Sequence, residues 1–393
     1  MSFEQARACV LGKVLGSAPA PAVEQVALDE ADGRVLAEAV AADRDYPPEA
    51  RSVRDGYAVR AADTPGRLRV IGESRAGGPF AGSVGAGEAV EITTGAAVPA
   101  GADSIVMVEH ARRDGDFVEA PEAEPGRSIS LRAADARAGE ELVPRGRRLG
   151  SVEIAALASA GRATVGVFAR PVVAILATGD ELVDVAEVPT PHQVRNSNAH
   201  SLAAQVRRAG GIARILPMAR DEGAAMQAAI EAGLAADLLL ISGGVSAGKY
   251  DLVEDALAAL GAEFYFDRVT IQPGQPLVFG RARGTFFFGL PGNPASTQVT
   301  FALFGRAAVD LLGGRTDAPL PMPFARLTVE VRHKPGLTRF VPAVLSPDGT
   351  EVTPLPWHGS GDLAALARSN AFLVAEGGRE MWRAGDFIRV LLP

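Results

Sequence analysis

Two uninterrupted apolar runs, Val172 to Ala177 and Leu238 to Ile241 behind Asp237, constrain this chain more than any other feature. Strands that show no polar alternation must be covered on both faces, and that is the pattern of a largely parallel sheet between helical layers. The intervening sequence fits this reading. Ala199 to Arg208 reads as a helix stopped by Gly210 and Gly211, and Met226, Ile230 and Leu234 mark one face of a second helix. A further helix is expected over 252–260, then strands near 263–271, 277–279 and 285–288, and a long helix over 295–312. The whole is an α/β layer.

The flanking sequence has a different texture. Phe3, Ala6, Val10 and Val14 recur at helical spacing before Gly16, Pro19 and Pro21, which predicts a short N-terminal helix. Between about 43 and 140, glycines, prolines and short β-rich runs alternate (68–72, 89–93, 105–109), and Asp114-Gly115 is a hairpin signal. Ser151 to Ala160 reads as a short helix with a Ser cap and Gly161 as its stop. Beyond Gly313, Gly314 and a proline-rich run at 319–323, strand-like segments are expected at 324–331, 340–345, 372–375 and 387–392.

The expected architecture is therefore α/β plus β in several domains. A discontinuous helical linker domain takes 1–42 and 139–170, a β-rich inserted domain 43–138, the α/β domain 171–316 and a small C-terminal β-domain 317–393. No internal repeat is evident.

With a net charge of −8 over 393 residues, there is no overall basic footprint for nucleic acid, so a bound anion needs a local site. The single cysteine, Cys9, excludes an intrachain disulfide framework and any multi-Cys zinc site. The first residues lack a basic segment leading into an apolar one, and no run approaches the roughly 18 apolar residues of a membrane span. The expectation is a cytoplasmic protein. The five histidines, at 110, 192, 200, 333 and 358, lack metal-ligand spacing and are given no chemistry.

In an open α/β sheet, ligands bind at the carboxyl ends of the strands. Three segments there carry unusual side chains. Thr178, Gly179, Asp180 and Glu181 place two carboxylates directly after a buried strand. Ser242, Gly243, Gly244, Ser246, Gly248, Lys249 and Asp251 combine glycines, hydroxyls, an ammonium and a carboxylate. Pro291, Gly292, Asn293 and Pro294 open a helix whose first N–H groups suit an anion. Taken singly, Asp180 or Glu181 reads as a helix cap, Lys249 as a solvated residue and Asn293 as a cap. Their convergence favours a site. The second segment also approaches a P-loop, Gly243-x-x-x-x-Gly248-Lys249, but Tyr250 stands where Ser or Thr should hold magnesium. A nucleotide hydrolase is the weaker reading.

Together these motifs resemble the molybdopterin molybdenumtransferase family, to which the C-terminal domain of gephyrin also belongs. The resemblance runs end to end, through Asp55-Gly-Tyr-Ala, Thr94-Gly-x-x-x-Pro, Thr178-Gly-Asp-Glu-Leu, Ser242-Gly-Gly-Val-Ser-x-Gly, Pro273-Gly-x-Pro and Leu290-Pro-Gly-Asn-Pro. It implies a molybdopterin-binding α/β domain and a barrel-like C-terminal domain in an elongated homodimer. The implied reaction joins molybdate to adenylylated molybdopterin with Mg²⁺, giving molybdenum cofactor and AMP. A molybdopterin adenylyltransferase would act upstream and molybdoenzyme-maturation factors downstream, with no nucleic acid or membrane as partner.

By motif, the resemblance assigns Glu181, Asp221 and Asp251 as acidic and metal-holding residues. It assigns Asp55, Thr94 and Asp135 as site residues from the partner subunit's β-rich domain, and Ser360 as a contact from the C-terminal domain. The chemistry agrees, because Mg²⁺ is a hard cation that takes a few carboxylates together with substrate phosphate oxygens. Molybdate is a tetrahedral dianion and needs N–H, hydroxyl or cationic donors, expected from the segments 242–249 and 291–294.

Some positions depart from the family. Lysines common around the Pro-Gly-x-Pro turn are here Arg268, Gln272 and Gln275, an arginine of the C-terminal domain is Pro342, and Val53-Arg54 precedes Asp55. Arg54 and Arg268 are expected to restore part of the lost positive field, since a guanidinium holds an oxyanion bidentately. The alternative is a noncatalytic pterin-binding or scaffolding paralogue of the same fold.

Overall fold

The computed structural model describes residues 1–244 and 252–393. Its central layer is a six-stranded sheet ordered Ile212–Ile215, Val172–Ala177, Leu238–Ser242, Thr285–Leu290, Pro276–Ala282 and Glu263–Arg268. The first four strands run parallel and the last two are joined by antiparallel pairings, with only Pro276–Ala282 reversed, so the sheet is mostly parallel with an antiparallel edge. Alternate residues of the apolar runs go to opposite faces. Val173, Ile175, Leu238, Leu240, Phe279, Phe286 and Phe288 enter one core, and Ala174, Leu176, Leu239, Ile241, Val278 and Phe287 the other.

The first core is covered by the helix Ser197–Arg208 and by the helical run 294–312. It is also covered by the N-terminal helix Phe3–Ser17, whose buried stripe is Ala6, Val10 and Val14. Sequence order groups this helix with the linker segment, yet its apolar face belongs to the α/β core. There Phe3 meets both Phe304 and Phe340 edge-on, the latter from the C-terminal region. A capping box between Ser2 and Gln5 fixes its start. The helices Gly223–Gly233 and Leu252–Ala259 cover the other face.

The expected helix over 295–312 is one continuous run with an irregular middle. Pro294–Thr300 and Arg306–Leu312 are α-helical and Phe301–Gly305 forms a π turn, which holds both Phe301 and Phe304 in the core. The expected Ser151 cap is corrected. Gly150 is the N-cap of Ser151–Ser159, and the Glu153 carboxylate accepts its N–H at 3.0 Å. The acid three residues on, rather than a hydroxyl, satisfies the helix start.

The linker segments pair Val23–Ala27 with Thr164–Phe168 and Val40–Ala41 with Glu141–Val143 around Leu36, Leu149, Leu157 and Val165. Arg148 ties them to the α/β layer, donating to Gly33 O, Ala209 O and, at 2.8 Å, the buried carboxylate of Asp310. Burial pushes the Asp310 carboxyl above its ordinary range, while Arg148 and Arg315 pull it down.

The β-rich segment forms a second six-stranded sheet around Gly56–Val59 and Glu88–Ile92, and the Asp114-Gly115 hairpin forms as expected. In the C-terminal region, Thr338–Leu345, Glu351–Pro354, Phe324–Leu327, Phe387–Leu391 and Ala371–Ala375 pair in a ring, a closed five-stranded barrel.

Candidate active site

Three adjacent parallel strands end side by side, and their exits are stitched together. Thr178 donates its N–H to Ser242 O at 3.0 Å, and Gly243 donates to Leu290 O at 3.1 Å. Gly243 has φ +98°, and a Cβ there would sit 2.5 Å from Thr178 O, so this crossing admits only glycine. Asn198, in the first turn of the helix Ser197–Arg208, links two exits by donating to Ser242 Oγ at 3.0 Å and Gly292 O at 2.7 Å.

These exits wall a cavity of about 790 Å³. Thr178, Glu181, Ser242, Gly243, Gly292, Asn293 and Pro294, all expected from sequence, line it. A second cavity of about 350 Å³ is lined by Pro291, Asn293, Ser360, Gln272, Gln275 and Arg339, among others. Asn293 belongs to both walls, and Ala295 N–H donates to Ser360 O at 3.0 Å, which fastens the C-terminal segment to the site.

The acidic residues divide. The Glu181 carboxylate folds back over Gly179 and has no cationic partner among the described residues. Asp180 accepts the Asp221 N–H at 3.3 Å, and Gly179 N–H donates to Ala219 O, so the segment at 219–221 lies against 178–182. Asp180, Asp221, Gly179 and Gly244 are next to the large cavity without lining it. No three His, Cys, Asp or Glu side chains gather to hold a metal among the described residues. Asp251, the third expected ligand, lies outside those residues, as do Ser246, Gly248 and Lys249.

Asp55, Thr94 and Asp135 lie in the β-rich region and line neither cavity. Asp55 accepts the N–H of Thr94 at 2.6 Å and its hydroxyl at 3.0 Å, and these bonds hold its carboxyl below the usual carboxylate range. A lowered native pKa contributes stability above the ordinary carboxylate range and loses it as pH falls through the lowered value. Thr94→Val, which keeps the backbone bond and removes the hydroxyl, is expected to move the Asp55 pKa partway back up. A carboxyl ¹³C titration checks this, and an unmoved titration would mean that the hydroxyl contributes nothing. Arg54 and Arg268 are exposed and line neither cavity. Arg339 is the cation at the second cavity, and its buried Nε has no hydrogen-bond partner.

Gln193, Arg195, Asn196 and Asn198, outside the expected site residues, also line the large cavity. A signal was present. Asn196 stands immediately before the helical pattern and caps it, accepting from Ala199 N–H at 3.2 Å.

A mostly parallel sheet with a polar cavity at its strand exits, joined to a β-rich segment and a five-stranded barrel, defines a multidomain α/β protein whose cavity lies at the crevice where such sheets bind ligands. Family models match in the same order: "MoeA N-terminal region (domain I and II)" over residues 1–161, "Probable molybdopterin binding domain" over 174–310 and "MoeA C-terminal region (domain IV)" over 325–392. The chain belongs to the molybdopterin molybdenumtransferase family. It is 35% identical over 384 residues to the molybdopterin molybdenumtransferases of Nostoc sp. and Bacillus subtilis, covering 94% of this chain and 88% and 89% of theirs. Two crystal structures of the molybdopterin biosynthesis MoeA protein from Pyrococcus horikoshii match over the full chain. One has a TM-score of 0.81 at 27% identity and covers 100% of that chain, and the other has 0.74 at 31% and covers 98%.

Proposed function

We propose that this protein is an enzyme of molybdenum cofactor biosynthesis that joins molybdate to adenylylated molybdopterin and releases AMP. The observation that carries the reading is the pair of adjoining cavities at three stitched strand exits, with an unneutralised carboxylate, Glu181, on the larger wall. The larger cavity has room for an adenylylated pterin. The smaller is lined by Ser296, Ser360 and Arg339, whose hydroxyls and guanidinium are donors suited to a tetrahedral oxyanion.

The donor set fits Mg²⁺, which binds through one or two carboxylates plus phosphate oxygens and water. Glu181 and Asp221 have no cation partner among the described residues and would hold the ion together with Asp251. When bound, Mg²⁺ supplies positive charge to phosphoryl oxygens. Asn198 fixes the Ser242 hydroxyl and the Gly292 carbonyl, so both exits keep their geometry as substrate enters.

The family resemblance leads us to propose a homodimer in which the partner's β-rich region completes the site; Asp55, Thr94 and Asp135, which line neither cavity of this chain, would then reach it from the other subunit. Among the described residues no helix is long and apolar enough to cross a membrane. We place the enzyme in the cytoplasm, downstream of a molybdopterin adenylyltransferase and upstream of molybdoenzyme-maturation factors.

The test is to mix the protein with adenylylated molybdopterin, molybdate and Mg²⁺ and follow AMP together with reconstitution of an apo-molybdoenzyme. Molybdate-dependent AMP release with active enzyme formed is expected. Gln272 and Gln275, uncharged in the wall of the second cavity, favour one other reading, a pterin-binding paralogue that inserts no metal. Tight pterin binding without AMP release would establish it.

A further inference from the structure

Among the described residues, one cation reaches the large cavity, and no sequence motif marks it. Arg195 lies in the short strand Val194–Arg195, which pairs in parallel with Leu182–Val183 directly after Glu181. Val194 N–H donates to Glu181 O at 2.9 Å and Asn196 N–H to Val183 O at 3.0 Å, so the strand carrying Arg195 is fastened on both sides to the strand exit that bears Glu181. The guanidinium donates through Nε to Glu187 O at 2.9 Å and has no carboxylate partner among the described residues. Its two Nη groups have no hydrogen-bond partner among the described residues.

Two further features of the same wall point to an anion. The 12-residue helix Ser197–Arg208 begins here, and its first N–H groups carry partial positive charge. Thr178, only 2% exposed, also lines the cavity, and its Oγ1 has no hydrogen-bond partner among the described residues. A buried hydroxyl left unsatisfied costs free energy unless a ligand or water completes it.

We infer that the exposed Arg195 and, deeper in the same wall, the buried Thr178 hydroxyl form a phosphoryl-binding subsite, with Arg195 as its cation and as the residue that positions the phosphoryl group of an adenylylated substrate. The inference deepens the proposed transferase reading and rests on it for the identity of the substrate. The guanidinium suits this task because it stays charged at any working pH and presents paired donors to two phosphoryl oxygens. It stands outside the acidic set, so its contribution is to binding and orientation.

Calorimetric titration of the full-length protein with AMP, inorganic pyrophosphate and adenosine tests it. Arg195→Gln is expected to weaken AMP and pyrophosphate by about tenfold or more, the worth of a charge-assisted hydrogen bond. Adenosine binding should not change. Arg195→Lys should retain part of the affinity, Thr178→Val should lose severalfold on the two phosphates alone, and added salt should narrow the gap between wild type and Arg195→Gln. In turnover, Arg195→Gln should raise KM with little change in kcat, the pattern of lost uniform binding.

Equal binding of both phosphates by wild type and Arg195→Gln, or an equal loss of adenosine, would overturn the subsite. Arg195-dependent pyrophosphate binding by a protein that releases no AMP from adenylylated molybdopterin would keep the subsite and remove the transferase reading. The converse also separates them. Normal AMP release with the KM of Arg195→Gln unchanged would keep the transferase and remove the subsite.

Discussion

Glu181→Gln is expected to reduce molybdate-dependent AMP release by at least about a hundredfold, because even an outer partner of a metal ligand is worth roughly 10- to 100-fold. The substitution removes one negative charge and keeps the shape of the side chain. It should leave the fold intact, since the carboxylate has no cationic partner to orphan among the described residues and rests against Gly179. Circular dichroism and the midpoint of urea unfolding should therefore match wild type. The apparent Mg²⁺ requirement should shift to higher concentration. Turnover within threefold of wild type at saturating Mg²⁺ would remove Glu181 from the metal-holding set.

Phe279→Ala should have the largest effect on stability. Phe279 is fully buried, with its ring stacked 4.6 Å from Phe288 and 5.8 Å from Phe286, and with Phe266 at 5.6 Å on a neighbouring strand. Truncating a buried phenylalanine costs about 3–5 kcal/mol, a large part of the 5–15 kcal/mol that typically holds a domain folded. Urea unfolding followed by a probe in the α/β region should show the midpoint fall by a matching amount, with Phe279→Leu intermediate. A loss below about 1 kcal/mol would show that the cluster collapses to fill the space.

These two predictions differ in how directly the sequence discloses them. Glu181 is legible because it follows a continuous apolar run, and any such run in an α/β chain aims its next residues at the ligand crevice. The strands 172–177 and 238–242 are legible for the same reason, since burial on both faces leaves an unbroken apolar signature. Phe279 falls in an expected strand, but its stacking on Phe286 and Phe288 depends on an antiparallel register that no local pattern specifies.

Arg195 was not legible. It sits on an exposed two-residue strand without periodicity, and only its pairing with 182–183 brings it to the cavity. Arg54 and Arg268 stand beside motifs along the chain, whereas among the described residues the cations that line the two cavities are Arg195 and Arg339. The cap at Gly150 escaped because a glycine N-cap offers no side chain to read, and its partner, Glu153, is three residues away.

The π turn at 301–305 has a consequence for how the site tolerates change. One residue beyond the α-helical count advances a helix by about 100°. The segment that begins at Pro294 and the segment that ends at Leu312 are therefore out of phase by one residue, yet both serve one core: Thr297 is bonded to Pro291 O beside the cavities, while Val299 packs with Ala308 and Val309 against the N-terminal helix. The helix works as a coupling with an offset. Because of that offset, removing one residue from 301–305 would turn the two ends by about 100° against each other, so the contacts beside the cavities and those in the core could not both be kept.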